Sequence, residues 1–279
     1  ARKTYARVEA LNAIFSDYYP ASELNRLCQK THGHPVKVSR DLFDILQRAQ
    51  ILARETDGAF DITAGPMIRL WRTARKQQKL PTPEILAAVK PRVGYKKIRL
   101  NSRNRTVTLL AANMQLDLGG IAKGFAVDEA MKTLKANCIH RAFVAASGDM
   151  LTSGPPIGHE GWRVLIRNVD QFGNVYPRTV HLNHQALSTS GDTEQFVLIN
   201  GQRYSHIVDP RTGYGLTHRI QVTVVSKASV KSDSHATAIS VLGHKAGLTF
   251  AKRKELQTII LDLKNEKPRI TQSLYWRLW

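Results

Sequence analysis

Asp233 and Thr237 stand four residues apart in SDSHATAISVLG, a stretch whose Ala, Ile, Val and Leu spacing is helical. Residues four apart lie one turn above each other, so both side chains share a helix face. A carboxylate and a hydroxyl form an oxygen-only donor set, which suits a hard cation such as Mg²⁺. In LDLGGIAKGFAVD (Leu116–Asp128), the pair Gly119-Gly120 precedes a lysine, Lys123. A helical run follows to about Ala136, with Phe125, Ala126, Ala130, Met131 and Leu134 on its apolar side. Such a junction offers free backbone N–H groups, the positive end of a helix dipole and glycines that let an anion approach closely. The pattern is neither a Walker loop nor a G-x-G-x-x-G fingerprint. His206 in YSHIVDPRTG reads as strand-borne, and Asp57 and Asp61 lie in the turn-rich TDGAFDITAGP. Each feature alone has an ordinary structural reading: Asp as a helix cap, Thr as a packed side chain, His as a hydrogen-bonded core residue, Asp-Gly as a turn. Together, a divalent cation and a lysine at a helix N-terminus are what phosphoryl or pyrophosphate chemistry requires, because charge developing on phosphate oxygens must be neutralised.

The elements that must position these groups are partly legible. Residues Ala6–Phe15 have apolar side chains at helical spacing (Val8, Leu11, Ile14, Phe15), and Pro20 breaks the run before Ser22, which could cap a short second helix. Tyr18 and Tyr19 sit at the break, where an aromatic packs over a core or stacks on a planar ring. DLFDILQRAQILARET has a 3.6-residue stripe (Leu42, Ile45, Leu46, Ala49, Leu52) that stops at Asp57-Gly58. Thr82-Pro83-Glu84 is a helix start with Pro at its first position, running to about Lys90. KKIRL and RTVTLL predict a hairpin. AFVAASGDM predicts a buried strand ending in Ser-Gly-Asp, and WRVLIRN, TVHL and ALSTSGD further strands. FVLI-NG-QRYSHIVD predicts a hairpin with a type I′ turn. RIQVTVVS leads into the Asp233 helix, which Gly243 closes; TIILDL is a late strand, and YWRLW a hydrophobic terminus that docks on the body. Irregular alternation of helices with hairpins, no countable repeat and no long Pro/Gly linker predict an α+β fold. The expected form is a single mixed body over residues 1–279, rich in antiparallel sheet.

The 279 residues are 42% hydrophobic and 23% charged, which is globular composition. No window approaches eighteen uninterrupted apolar residues, and ARKTYARVEA has no apolar signal core, so neither a membrane span nor a leader is read. Cys28 and Cys138 lack metal or redox spacing. Lys and Arg number 41 against 22 Asp and Glu, a net +19. That field attracts nucleic acid, anionic membrane or a phosphorylated small molecule. The basic residues are scattered and carry no helix-turn-helix, RNP or zinc-finger signature, so a solvated basic surface is favoured over a nucleic-acid groove.

The stretches YYPASELNRL, TDGAFDITAGPMIRLW, LDLGGIAKGFAVD, SGDM with WRVLI, ALSTSGD, RYSHIVDPRTG and SDSHATAISVLG together resemble the ApbE family of FAD:protein FMN transferases, in the family's order over nearly the whole chain. The resemblance implies a central flavin cleft with Mg²⁺ at the FAD pyrophosphate. It implies transfer of FMN to a Ser or Thr hydroxyl of an acceptor protein, with release of AMP. Asp233 and Thr237 would hold the metal with the Gly120 carbonyl. Lys123, Asp117, the loop Ala59-Phe60-Asp61 and Tyr18 would meet FAD, and Asp209 with Thr212 would shape the loop bearing His206, the candidate general base. Lys123 counts with His206 as catalytic. Cys28 stands where the family usually shows asparagine, and Ser147 where a second glycine is common. The resemblance also implies a strand bearing Met-Gly-Thr ahead of the first helix, and export to the bacterial periplasm or the outer face of the cytoplasmic membrane, often as a lipoprotein. A positive field suits an anionic membrane surface. Two other readings stand beside it: an FAD pyrophosphatase giving FMN and AMP, which uses the same site, and a flavin-binding module without catalysis, which would leave His206 or the metal pair idle. A nucleic-acid-binding protein rests on charge alone.

Overall fold

The computed structural model describes residues 1–169, 174–191, 196–263 and 268–273; the YWRLW terminus lies outside them. In chain order the helices are α1 Arg2–Phe15, α2 Glu23–Gln29, α3 Arg40–Glu55, α4 Gly65–Gln77, α5 Pro83–Val89, α6 Ala122–Ala136 and α7 Ser229–Arg253. The strands are β1 Val36–Lys37, β2 Ile98–Asn101, β3 Thr106–Leu109, β4 Phe143–Ala146, β5 Asp149–Thr152, β6 Trp162–Val169, β7 Val175–Leu182, β8 Ala186–Gly191, β9 Phe196–Ile199, β10 Gln202–Ser205, β11 Ile220–Ser226, β12 Gln257–Asp262 and β13 Arg269–Gln272. All strand pairings among the described residues are antiparallel, as the α+β reading requires.

The chain divides into two compact units where the sequence marks one body. Residues 1–8, 123–195 and 218–279 form the first; residues 9–122 and 196–217 form the second. Neither is contiguous, and the chain changes unit inside α1 and in the first turn of α6. No linker composition therefore announces the division.

In the first unit a six-stranded sheet has the order β13-β12-β11-β8-β5-β4. Strand alternation gives it two faces. Leu187 and Val225 face the β6–β7 hairpin, packing with Val164, Ile166, Val180 and Leu182. Ala186 and Leu151 face α6, packing with Val127 and Met131. Ser190 lies on the same side as Ala186 and bonds Thr237 of α7, so this helical face carries the hydroxyls of β8. AFVAASGDM is not one buried strand but a hairpin of β4 and β5, reversing at Ser147, whose φ is 56°. The apolar run misleads because β4 is an edge strand with Phe143 exposed rather than a buried one. Gly243, with φ 75° and ψ 177°, breaks α7 as its position suggests, yet a second helical segment continues to Arg253. The His218 ring nitrogen lies 2.9 Å from the Ser240 carbonyl just before the break.

In the second unit, Ser22, Ser39 and Thr82 cap α2, α3 and α5 by accepting from Asn25, Leu42 and Ile85 N–H. Asp57 and Gly58, both at positive φ, end α3 as predicted. The β9–β10 hairpin turns on Asn200 and Gly201, both at φ above 50°, the type I′ geometry. Helix α4, not read from the sequence although Pro66 stands in its first turn and Met67, Trp71 and Ala74 fall at helical spacing, buries those three against Val197, Ile199 and Val208. The Trp71 indole donates to the Ser205 carbonyl at 2.9 Å. Gly215 is required beside it, since a Cβ there would lie 2.4 Å from the Ser205 oxygen. Among the described residues no helix is long and apolar enough to cross a membrane.

Candidate active site

The first unit brings Lys123, Asp233 and Thr237 together and adds Asp149. Lys123, in the first turn of α6, places its ammonium 3.1 Å from Asp149 Oδ2 and 3.5 Å from Asp233 Oδ1. The second Asp233 oxygen accepts the Gly124 N–H at 2.9 Å. The α6 N-terminus therefore does hold an anion, and it is the chain's own carboxylate. Gly124 makes this approach feasible: a Cβ there would lie 2.4 Å from the Ser229 carbonyl oxygen and 2.8 Å from Asp233 Cβ. The start of α7 is fixed from the same helix, because Asp128 accepts the Ser229 and Val230 N–H groups at 2.7 and 3.0 Å.

Both carboxylates are buried, at 3% and 2% exposure for Asp149 and Asp233. Burial first, and the Asp149 carboxylate second, push Asp233 up to about 7, against the pull of Lys123 and the Gly124 N–H. Burial works against the charge of Lys123, but Asp233 and Asp149 outweigh it and its pKa lies above the ordinary lysine value. Thr237 Oγ1 is 3.2 Å from Ser190 Oγ. Asp149 and Ser188 are directly opposed across β5 and β8, hence on the same face. The Ser188 hydroxyl is fully buried and has no partner among the described residues. Two carboxylates, two hydroxyls and an orphaned third hydroxyl form an oxygen-rich face that fits Mg²⁺, which takes one or two carboxylates and completes its shell with water or phosphate. Among the described residues no group of three or more His, Cys, Asp or Glu gathers, so a softer metal has no cage.

The second unit holds the remaining predicted residues. Asp117 is buried; its Oδ1 accepts the Gly119 N–H and its Oδ2 lies 2.8 Å from Arg72 Nη2. Burial and then Asp17 raise its pKa, against Gly119 and Arg72. The other arm of Arg72 bonds Asp17, and the guanidinium carbon is 4.4 Å from the centre of the exposed Tyr18 ring. Gly120 lies in the turn at 118–122, closed by the Leu118 carbonyl. Ala59, Phe60 and Asp61 are buried. Asp61 is committed to structure: its oxygens accept from Thr63 N–H, Thr63 hydroxyl and Tyr95 N–H at 2.7–2.8 Å. His206 is not within a strand; it sits in the bend one residue past β10. From there the chain makes a short excursion, bridged between Val208 and Gly215. Asp209 grips Arg211 at 2.7 Å, its carbonyl accepts the Gly213 N–H at 2.8 Å, and Thr212 accepts from Tyr214 N–H. Asp209 and Thr212 thus shape the loop that follows His206.

Sequence reasoning gave no role to Asp149, Asp128, Ser190, Asp17 or Arg72. Asp149 had a usable signal, a carboxylate in an otherwise apolar strand pair. Arg72 had none, since its partners lie 55 and 45 residues away.

A sequence profile of the ApbE family matches residues 1–260. The FAD:protein FMN transferase of Haemophilus influenzae is 32% identical over 98% of this chain and 82% of its own length. The protein of that name from Chlamydia muridarum is 31% identical over 90% of this chain and 79% of its own. Among solved structures, the flavin transferase ApbE of Vibrio cholerae superposes with a TM-score of 0.90 at 27% identity, covering 99% of this chain and 90% of that one. The ApbE protein of Thermotoga maritima gives 0.88 at 26% identity over 99% and 91%. With the profile running through both units and relatives matched along nearly all of its length, the chain belongs to the ApbE family.

Proposed function

We propose that this protein transfers FMN from FAD to a Ser or Thr hydroxyl of an acceptor protein, releasing AMP, with Mg²⁺ required. The observation that carries the reading is the buried Lys123–Asp149–Asp233 cluster beside Thr237, in a family whose relatives are named FAD:protein FMN transferase. Mg²⁺, when bound, supplies Lewis-acid neutralisation of pyrophosphate charge. Asp233 and Thr237 would hold it, with the Gly120 carbonyl that the family resemblance adds. Lys123 offsets negative charge on the FMN phosphate as the acceptor oxygen attacks phosphorus and the bond to the AMP oxygen breaks. His206 takes the proton from the attacking hydroxyl. Tyr18, Asp117 and the Ala59-Phe60-Asp61 loop bind FAD, Asp61 by holding the loop's shape through Thr63 and Tyr95, with Asp209 and Thr212 setting the His206 loop. An exported setting, next to an anionic membrane that the +19 charge favours, belongs to the same proposal.

The test incubates the protein with FAD and Mg²⁺, with and without a Ser/Thr acceptor peptide, following AMP and peptide mass. AMP with a peptide heavier by FMN supports transfer; AMP and free FMN with unmodified peptide from a cognate acceptor supports a pyrophosphatase. His206→Ala should keep FAD binding and lose transfer by about 10²-fold or more. Equal loss of binding would remove His206 from the role of base.

A further inference from the structure

Tyr18 is 76% exposed, yet both its backbone and its ring are held. The Asn25 side-chain amide donates to the carbonyls of Ser16, Asp17 and Tyr19 at 3.3, 3.2 and 2.8 Å, and Tyr19 N–H bonds Ser16 Oγ at 3.1 Å. These bonds pin the loop between α1 and α2 on either side of Tyr18. The ring is held by Arg72 of α4. One arm of its guanidinium is spent on Asp17 and the other on Asp117, so the plane of the fork is fixed, with its centre 4.4 Å from the ring centroid. A large aromatic ring this exposed and this restrained is ordered before any ligand arrives.

We propose that Arg72 is the positioning residue of the flavin-binding half-site in the second unit, locking the Tyr18 ring and the Asp117 carboxylate into one fixed arrangement that receives the isoalloxazine. The proposal rests on the reading of Tyr18 and Asp117 as FAD contacts. It assigns Arg72 no part in the chemical step: the guanidinium acts through the ring and the carboxylate it orients. Lysine would keep the positive charge, but a single ammonium has no rigid fork with which to hold two carboxylates and a ring plane together.

The test is a double-mutant cycle on FAD affinity, read by quenching of flavin fluorescence with Mg²⁺ present, alongside KM and kcat for AMP release and a thermal melt of each variant. R72A should weaken FAD binding about tenfold, with a matching rise in KM and little change in kcat. In a Y18A background R72A should cost less than about twofold more, because the ring it orients is gone. R72K should stay within about threefold of R72A if the fork, rather than the charge, does the positioning. R72K also keeps a cation beside buried Asp117, so it carries the cycle if R72A does not fold. Independent, multiplicative losses in the double variant would overturn the proposal, as would full rescue by R72K. Tighter FAD binding in R72A would also overturn it, since the guanidinium would then be blocking the ring. Absence of flavin quenching in the unaltered protein would instead remove the FAD reading itself, and this inference with it.

Discussion

Two clusters in this molecule share the same charge arithmetic, two carboxylates around one cation, and behave differently. Lys123 meets Asp149 and Asp233 through a single ammonium at 3.1 and 3.5 Å. Arg72 meets Asp17 and Asp117 through the two arms of a planar fork, its face on Tyr18. A point charge on a flexible stem can leave two buried carboxylates to another cation, whereas a fork that spends both arms is a fixture. Burial raises a carboxylate in both clusters, Asp233 up to about 7 and Asp117 also above its ordinary value, so what distinguishes them is the geometry of the cation. The same pairing of two carboxylates with one cation is made once through a point charge and once through a planar fork.

The strongest way to break that contrast is Asp233→Ala, which removes the carboxylate on which the exchangeable cluster depends. Mg²⁺-dependent AMP release should fall by about 10³-fold, while FAD titration in the absence of metal changes little. If AMP release persists with undiminished Mg²⁺ dependence, the cluster is structural and resembles its arginine counterpart.

Lys123→Arg plants a fork where a point charge stands. Turnover at saturating FAD should drop by about 10²-fold, and half-saturation for Mg²⁺ should move to higher concentration, because a guanidinium locked between Asp149 and Asp233 does not yield them. A Mg²⁺ titration of AMP release measures both; unchanged values mean that ammonium and guanidinium are interchangeable here.

The pH response follows from Asp233. Its folded value of about 7 exceeds the ordinary 3.8, so between these limits the folded protein binds more protons than the unfolded chain. The stability this proton contributes is full at the acid end and is lost as pH rises through about 7. Mg²⁺ requires the ionised carboxylate, so its stabilisation should grow over the same interval. Melts with and without Mg²⁺ should show a gain larger at pH 8 than at pH 6 by on the order of 2–4 °C. Asp233→Asn should abolish that difference; a gain independent of pH would place the metal elsewhere.

Glycine substitutions give the smallest effects, and Gly124→Ala acts on stability first. The added Cβ meets the Ser229 carbonyl at 2.4 Å and must shift α7 against α6, at a cost of about 1–3 kcal/mol in chemical denaturation. Activity should fall further than stability explains, because Asp233 moves with α7. The equivalent small change in the arginine cluster, Gly119→Ala, meets only Asp117 Oδ1 at 3.0 Å and should cost less.

Much of the fold was legible because its determinants are local. The Leu42–Leu52 stripe, the Ser39 cap and the Asp57-Gly58 stop each act within a few residues, and α3 appears between them. The same holds for Asn200-Gly201 and for Pro83 at the start of α5. Where the sequence misled, a long-range fact intervened. AFVAASGDM reads as buried because it is apolar, but sheet position, which leaves β4 at an edge, decides exposure. His206 follows a clear strand, yet β10 ends one residue earlier, where Trp71 of α4 takes the Ser205 carbonyl.

The sequence alone determined the composition of each donor set and its placement on local elements: Asp233 and Thr237 on one face of a helix, Lys123 after a glycine pair, Tyr18 in a proline-broken loop. It also determined the basic field. Tertiary structure decided which cation meets which carboxylate, bringing Asp233 to an N–H 109 residues away and Asp117 to a guanidinium 45 residues away. The physical reason is range. Helix periodicity, capping and turn preference are settled over a few residues, whereas ion pairing and desolvation depend on which distant segments share a buried volume, and that volume exists only once the unit that holds it has packed.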